Sequence, residues 1–287
     1  MLVRLGIVTV LLTMVSYERA FESTTNSFLR GLENYIGVRR EREQATFSLA
    51  SDNLSAFARE LPKRIHDYDS LDPAAEFDRR FMMFPDGVVR TRPETFDPNR
   101  HAGTSIIDIK RLDDAAKRRV LAAHDTIEQM GRAMHTRFQN LWLLTPENVG
   151  MGYWPEMPRW PFDTKAGMDF TSDELFKLGG PEKNPERKPV WTEVYQDRSK
   201  KIAMVSVTYP LYDHDRFLGI VGQDITLGEL LDRTINVKLY GTYNLIVHRN
   251  GNIVAHPALM EAISTAKGGL HISKSGLPTL QAIHDAA

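Results

Sequence analysis

Residues 201–227 read KIAMVSVTYPLYDHDRFLGIVGQDITL. Two runs rich in β-branched and aromatic residues flank the charged turn Asp213, His214 and Asp215, which is the pattern of two strands joined by a short connection. Upstream lie strand-like and helical patterns in alternation. A helix between strand pairs that return on themselves predicts an α+β class with a central antiparallel sheet.

Working outward, FMMFPDGVVRTR (81–92) predicts a hairpin turning at Pro85, Asp86 and Gly87. Residues 112–138 predict a helix, with Leu112, Ala116, Val120, Ala123, Ile127 and Met134 on one side. NLWLLTPENVGMGYW (140–154) predicts a second hairpin, broken at Pro146, Glu147 and Asn148. Residues 155–189 are proline- and glycine-rich, with one short helix, SDELFKL, that Ser172 is placed to cap. A loop of this length inside a compact domain is usually functional, commonly a lid over a binding site. Beyond the long strand pair, LGELLDRTI (227–235) reads as a helix. YNLIVHRNGNIVAHP (243–257) follows as a hairpin turning at Asn250 and Gly251. Residues 257–287 have helix and loop character and too little strand to close a second sheet, so the second domain is expected to be partial.

At the other end, residues 5–15 form an uncharged apolar run that opens the chain after Arg4 and leads into Tyr17, Glu18 and Arg19. The run is shorter than the roughly 20 apolar residues of a comfortable spanning helix, and SYERAFES offers no good signal-peptidase site. A short membrane anchor over residues 1–16 is the expectation. A cleaved signal and a buried core helix are the alternatives. From 17 to 67 the chain predicts one long helix, with Phe21, Phe28, Leu32, Ile36, Phe47, Leu54, Phe57, Leu61 and Ile65 forming one stripe and RREREQ (39–44) a solvated stretch. Such a stripe must pack on the following domain or on a partner helix, so a homodimer through this helix is expected.

Composition narrows the function classes. The 287 residues are 42% hydrophobic and 25% charged, with 36 basic and 37 acidic side chains and a net charge of −1. No global field exists to attract polyanions, which argues against nucleic acid. Without cysteine there is no thiolate metal site, disulfide or cysteine nucleophile. Nine histidines are dispersed: His124 and His135 are too far apart on their helix to share an ion, and the turn register does not set His248 opposite His256. Serine-hydrolase, phosphate-loop and dinucleotide-loop signatures are absent. No catalytic residue, metal or cofactor is expected.

Four stretches, WTEVYQD (191–197), IAMVSVTYPLYD (202–213), FLGIVGQDITLGELL (217–231) and YNLIVHRNGNIVAHP (243–257), resemble the double Cache sensor family of bacterial membrane receptors. That family stacks two PAS-like domains along an N-terminal helix. The resemblance covers residues 150–257, and residues 70–150 match by element order. It implies a membrane-distal Cache domain over 68–227, then a linker helix and partial membrane-proximal Cache domain over 228–287. In members that bind amino acids, an arginine and a tryptophan before the lid hold the carboxylate, while a tyrosine and an aspartate after it hold the amine. By position the resemblance implies Trp160, Tyr195 and Asp224, with Tyr153 as the earlier tyrosine. The chain departs from the pattern at Pro158, where the family has its arginine, and at Pro161, where it has a tyrosine. Arg159, one place off, is the nearest arginine.

The residues themselves leave alternatives open. A carboxylate at Asp224, near the end of a buried strand, is costly unless paired. It either meets a ligand ammonium or caps the helix near Leu227. Tyr153, Trp154, Trp160, Trp191 and Tyr195 gather aromatics around the lid, suited to a cation or flat ligand, or to packing the lid on the sheet. The expected function is an extracytoplasmic sensor at the inner membrane that binds a small amine, amino acid or organic acid and signals to a cytoplasmic output module outside these residues. A ligand-free dimerising ectodomain is the competing reading, and a secreted hydrolase the remotest.

Overall fold

The structure, a computed structural model, describes residues 2–197, 202–230, 232, 235, 238 and 241–286, the first few by backbone alone. It divides into two compact units, Met1–Leu49 and Ala50–Ala287. The first is helical throughout, as the N-terminal part of α1 (Leu2–Asp67). No break separates the apolar opening run from the polar helix expected to begin at Tyr17. Its apolar side chains Tyr17, Phe21, Phe28 and Ile36 are exposed. Among the described residues no helix is long and apolar enough to cross a membrane.

The second unit starts with the last turns of α1, where Leu54, Phe57, Leu61 and Ile65 are buried. Helix α2 (Pro73–Arg80) follows, with Pro73 in its first turn and Asp72 accepting from the Ala74 N–H. Strands β1 (Phe81–Met83) and β2 (Val89–Thr91) pair antiparallel across the turn at Asp86 and Gly87, where Gly87 takes a φ of +84°. Strand β3 (Gly103–Ile106) leads to α3 (Asp114–Met134), capped by Asp113. Then come β4 (Leu141–Leu144), β5 (Val149–Tyr153), α4 (Trp160–Asp163), α5 (Glu174–Gly179), β6 (Val190–Trp191), β7 (Tyr195–Gln196), β8 (Ala203–Asp213) and β9 (Arg216–Thr226). The sheet runs β1-β2-β3-β5-β4-β9-β8-β6, with β7 also on β8, and its pairings are antiparallel.

Helix α3 and the end of α1 cover one face of this sheet. Leu61, Ile65, Val120, Ala123, Leu143 and Met151 enclose a cavity of only about 20 Å³ there, so that face is closely packed. At one edge Tyr68 and Arg80 both bind the Asp125 carboxylate, tying α2 and the end of α1 to α3.

Past β9 lie α6 (Leu227–Leu230), β10 (Ile246–Val247), β11 (Ile253–Ala255), α7 (Met260–Thr265) and α8 (Pro278–Ala286). Most of the helix expected beyond Leu230, up to residue 235, lies outside the described residues. Three local expectations are corrected. Asp173, not Ser172, caps α5, accepting from the Leu175 N–H, because the Ser172 hydroxyl is turned back onto Asp169 O. The β10–β11 loop, closed by His248 N–H to Asn252 O at 2.8 Å, holds Arg249 as well as Asn250 and Gly251, with the Gly251 N–H on His248 O and Gly251 at φ +88°. The lid also holds a one-turn helix, α4, where loop was expected.

Candidate functional site

The second face of the sheet is set by alternation along its strands. On β9, Ile220, Gly222 and Asp224 share one side while Val221, Gln223 and Ile225 share the other. Gly222 stands opposite Trp142 on β4 and Thr208 on β8, and Asp224 opposite Ser206. The same side carries Gly103 and Ser105 of β3 and Gly150 and Gly152 of β5. Few side chains rise from these glycines, and the lid fills the space. A methyl group at Gly103 would meet Pro161 at 2.9 Å, and one at Gly150 would meet the Phe170 ring at 2.9 Å. Trp160 lies over Gly103 and Gly152.

Polar bonds hold the lid on this face. Arg90, 3% exposed, donates to Thr164 O at 2.5 Å and to both Asp86 oxygens at 2.9 and 2.6 Å, while the Ser105 and Thr164 hydroxyls are 2.7 Å apart. The Asn148 amide donates to Met168 O at 2.9 Å, and its carbonyl accepts from the Phe170 N–H at 2.8 Å. Beside the Arg90 latch an open cleft of about 600 Å³ is lined by Phe84, Pro85, Phe162 and Lys165 among others.

Asp224 organises the other end of the face. It is 5% exposed. Its Oδ2 accepts from Asn140 Nδ2 at 2.6 Å, and its Oδ1 accepts from Trp142 Nε1 at 2.9 Å and from the Ser206 hydroxyl at 2.5 Å. Asn140 Oδ1 takes the Asp224 backbone N–H at 3.0 Å, which fixes the amide orientation. With the Ser206 proton directed at Asp224, the Tyr195 hydroxyl donates to Ser206 Oγ at 2.8 Å. Burial, and then the nearby Asp224 charge, push the Tyr195 hydroxyl well above the usual tyrosine range, so it remains a donor. Burial also raises the Asp224 carboxyl, against the opposing pull of its three donors. All these partners are neutral. Among the described residues no histidine, aspartate or glutamate cluster of three or more could hold a metal ion.

Residues 122–232, running from α3 through the lid to β9 and beyond, match the family model of the first PDC sensor domain of methyl-accepting chemotaxis protein-like receptors. Over these residues the chain is similar to a PDC, or Cache-type, sensor domain. Among solved structures, the ligand-binding domain of the Pseudomonas fluorescens chemoreceptor CtaA in complex with L-valine is similar at 19% identity and a TM-score of 0.41. That alignment covers 54% of this chain and 62% of the other. The Pseudomonas aeruginosa PAO1 chemoreceptor domains of PctC, in complex with GABA, and PctB, in complex with L-Arg, are similar at 17% and 18% identity. Their TM-scores are 0.39 and 0.38, covering 59% and 46% of this chain and 68% and 52% of theirs. The chain thus spans about three fifths of the length of the CtaA domain. No curated protein matches it.

Within the matched residues, the four implied by position and Arg159, one place off, separate. Tyr195 and Asp224 meet in one network through Ser206. Trp160 shares their face of the sheet, packed on the glycines. Tyr153 sits on the opposite face, where it packs on Gly131 of α3 and donates to Asn99 O at 2.8 Å. The Arg159 side chain is 78% exposed and pairs with Asp163 at 3.2 Å. Asp224 does not cap α6: that helix is capped by Thr226 and Glu229, whose side chains exchange bonds with each other's backbone N–H. Asn140, Trp142 and Ser206 were not singled out in the sequence. The residue types are common, and only their register against Asp224 marks them.

Proposed function

We propose that the chain is the extracytoplasmic sensing part of a membrane signalling receptor, and that its Cache-type domain takes up a small amine or amino acid whose ammonium group meets Asp224. One observation carries this reading. A buried carboxylate held by three neutral donors carries a charge that nothing nearby neutralises among its described partners, and a ligand cation would relieve that cost. An organic acid without an amine suits the face less, since it would bring a second negative charge to Asp224. Trp160 and Tyr195 line the same face and supply aromatic surface for the rest of the ligand. Binding shifts the protein only by the ligand's differential affinity for lid-closed and lid-open states, so the lid over residues 155–189 is the element that responds.

The apolar run at residues 5–15 supports anchorage of α1 at the membrane, and the exposed stripe from Tyr17 to Ile36 supports pairing with a second copy. Output would pass to a cytoplasmic module. The competing reading, a ligand-free dimerising ectodomain, has its own support: Trp160, Pro161 and Phe170 fill the glycine-lined face with the protein's own side chains.

A thermal-shift screen of amino acids, amines and organic acids, repeated with Asp224→Ala, tests the choice. An amine or amino acid at 100 times its Kd is expected to add about 2.7 kcal/mol of stability by mass action, and the gain is expected to vanish in the variant. Stabilisation by organic acids alone, or by nothing while the variant stays folded, would overturn the ammonium reading. Light scattering tests the pairing separately, where a monomer at high concentration counts against it.

A further inference from the structure

The short segment between β6 and β7 is bonded on two sides. Toward the sheet, the Thr192 N–H donates to Ser206 O at 2.9 Å, and Thr192 Oγ1 accepts from the Ser206 N–H at 2.9 Å. Tyr195 then donates to the Ser206 hydroxyl, which itself donates to Asp224. Ser206 therefore gives this segment its backbone N–H, its carbonyl and its side chain at once. Away from the sheet, Glu193, Val194 and Gln196 hold the C-terminal part of the chain. Glu193 accepts from Asn250 Nδ2 at 2.7 Å and from Asn252 Nδ2 at 3.0 Å, both in the β10–β11 turn. The Val194 backbone lies against Gly268, whose φ of +77° and lack of Cβ allow the approach. Gln196 Nε2 donates to Ser264 of α7 at 2.7 Å.

We propose that residues 192–196 are a coupling strap, through which the state of the Asp224 network sets the docking of the β10–β11 hairpin and α7. The proposal rests on the reading of the Asp224 face as the ligand site for its signalling role, while the coupling itself is a property of the strap. A ligand ammonium at Asp224 draws the carboxylate from Ser206. Ser206 and Tyr195 then rearrange, and the strap moves as one short piece because both of its flanks are bonded to Ser206. The outer clamp is the part able to give way. Glu193 is half exposed, and its two amide partners sit in a turn, so docked and released states of the hairpin lie close in free energy. By reciprocity, releasing the clamp must also alter the Asp224 network.

Amide hydrogen exchange of the whole chain without ligand tests the strap. Tyr195→Phe removes one bond to Ser206 and keeps the ring. It is expected to speed exchange of the His248, Gly251 and Ile253 amides about five-fold, the size of one lost hydrogen bond. The Phe84 and Gly87 amides of the β1–β2 turn are expected to stay unchanged. In a Glu193→Ala background those hairpin amides should already exchange fast, and adding Tyr195→Phe should change them no further. Hairpin exchange unmoved by Tyr195→Phe, or additive effects of the two substitutions, would overturn the coupling. The outcome does not depend on the amine screen: a silent screen with a coupled strap would sink the ligand reading alone, and a stabilising amine with an uncoupled strap would sink this inference alone.

Discussion

The two faces of the central sheet differ in what they are made of. Toward α3 the strands present Leu143 and Met151, which line a cavity of only about 20 Å³ with Val120 and Ala123, and Val221 and Ile225 are buried on the same side. Toward the lid they present Gly103, Gly150, Gly152 and Gly222, with Ser105, Ser206, Thr208 and Asp224 between. Large apolar side chains give a face that holds the fold together. Glycines and hydroxyls give one whose volume is supplied by the lid's aromatics, which a few polar bonds hold down.

Substitutions on the two faces should therefore behave differently. Ile127→Ala on α3, fully buried, is expected to cost about 2–5 kcal/mol in chemical denaturation, since the helix face cannot collapse into the void. A loss under 1 kcal/mol would mean the α3 face is looser than its packing. His124 lies on the same side, its Nδ1 2.9 Å from the Thr104 hydroxyl, and burial, with Arg80 nearby, lowers its pKa to about 4. The unfolded chain takes up this proton near the ordinary value of about 6.5, so native stability should fall by about 3 kcal/mol as pH drops from 6.5 to 4, and then level. Asp224, raised by burial, acts with the opposite sign, losing stability as pH rises through its folded value. Comparing wild type with His124→Gln isolates the histidine, and equal slopes in the two would refute its buried, neutral state. On the lid face, Gly150→Ala is expected to cost about 1–3 kcal/mol by pressing on Phe170, and to expose residues 155–189 to limited proteolysis. Unchanged proteolysis would mean that the lid is not held at Phe170.

Much of this was readable in advance. The hairpins at 81–92 and 140–154, the helix α3 and the long strand pair follow from periodicity and turn chemistry, and the lid from its prolines. The stripe on α1 was legible as a pattern, but its fates differ: Leu54, Phe57, Leu61 and Ile65 are buried while Phe21, Phe28 and Ile36 are exposed, and spacing is the same in both halves. Of the residues implied by position, Tyr195 and Asp224 come together, whereas Tyr153 and Trp160 part to opposite faces and Arg159 points to solvent. A strand shows which residues alternate, not which face a loop will cover.

The clearest case is the partner of Asp224. Counting back from the turn, where Asp213 pairs with Arg216, an unbroken ladder would set Asp224 opposite Val205. The register shifts between Leu211 and Tyr212, opposite an extra residue at Leu218, and Ser206 arrives there instead. Gly219, at φ +138° and close beneath Leu144 O, lets the bulge form where β4 ends. By itself the sequence determined the hairpins at 81–92 and 140–154, α3, the long strand pair and the Cache-type resemblance, because these rest on local propensity and short-range pattern. Tertiary structure decided the register, the faces and the neutral cage around Asp224, because a single inserted residue in one strand redirects every partner beyond it.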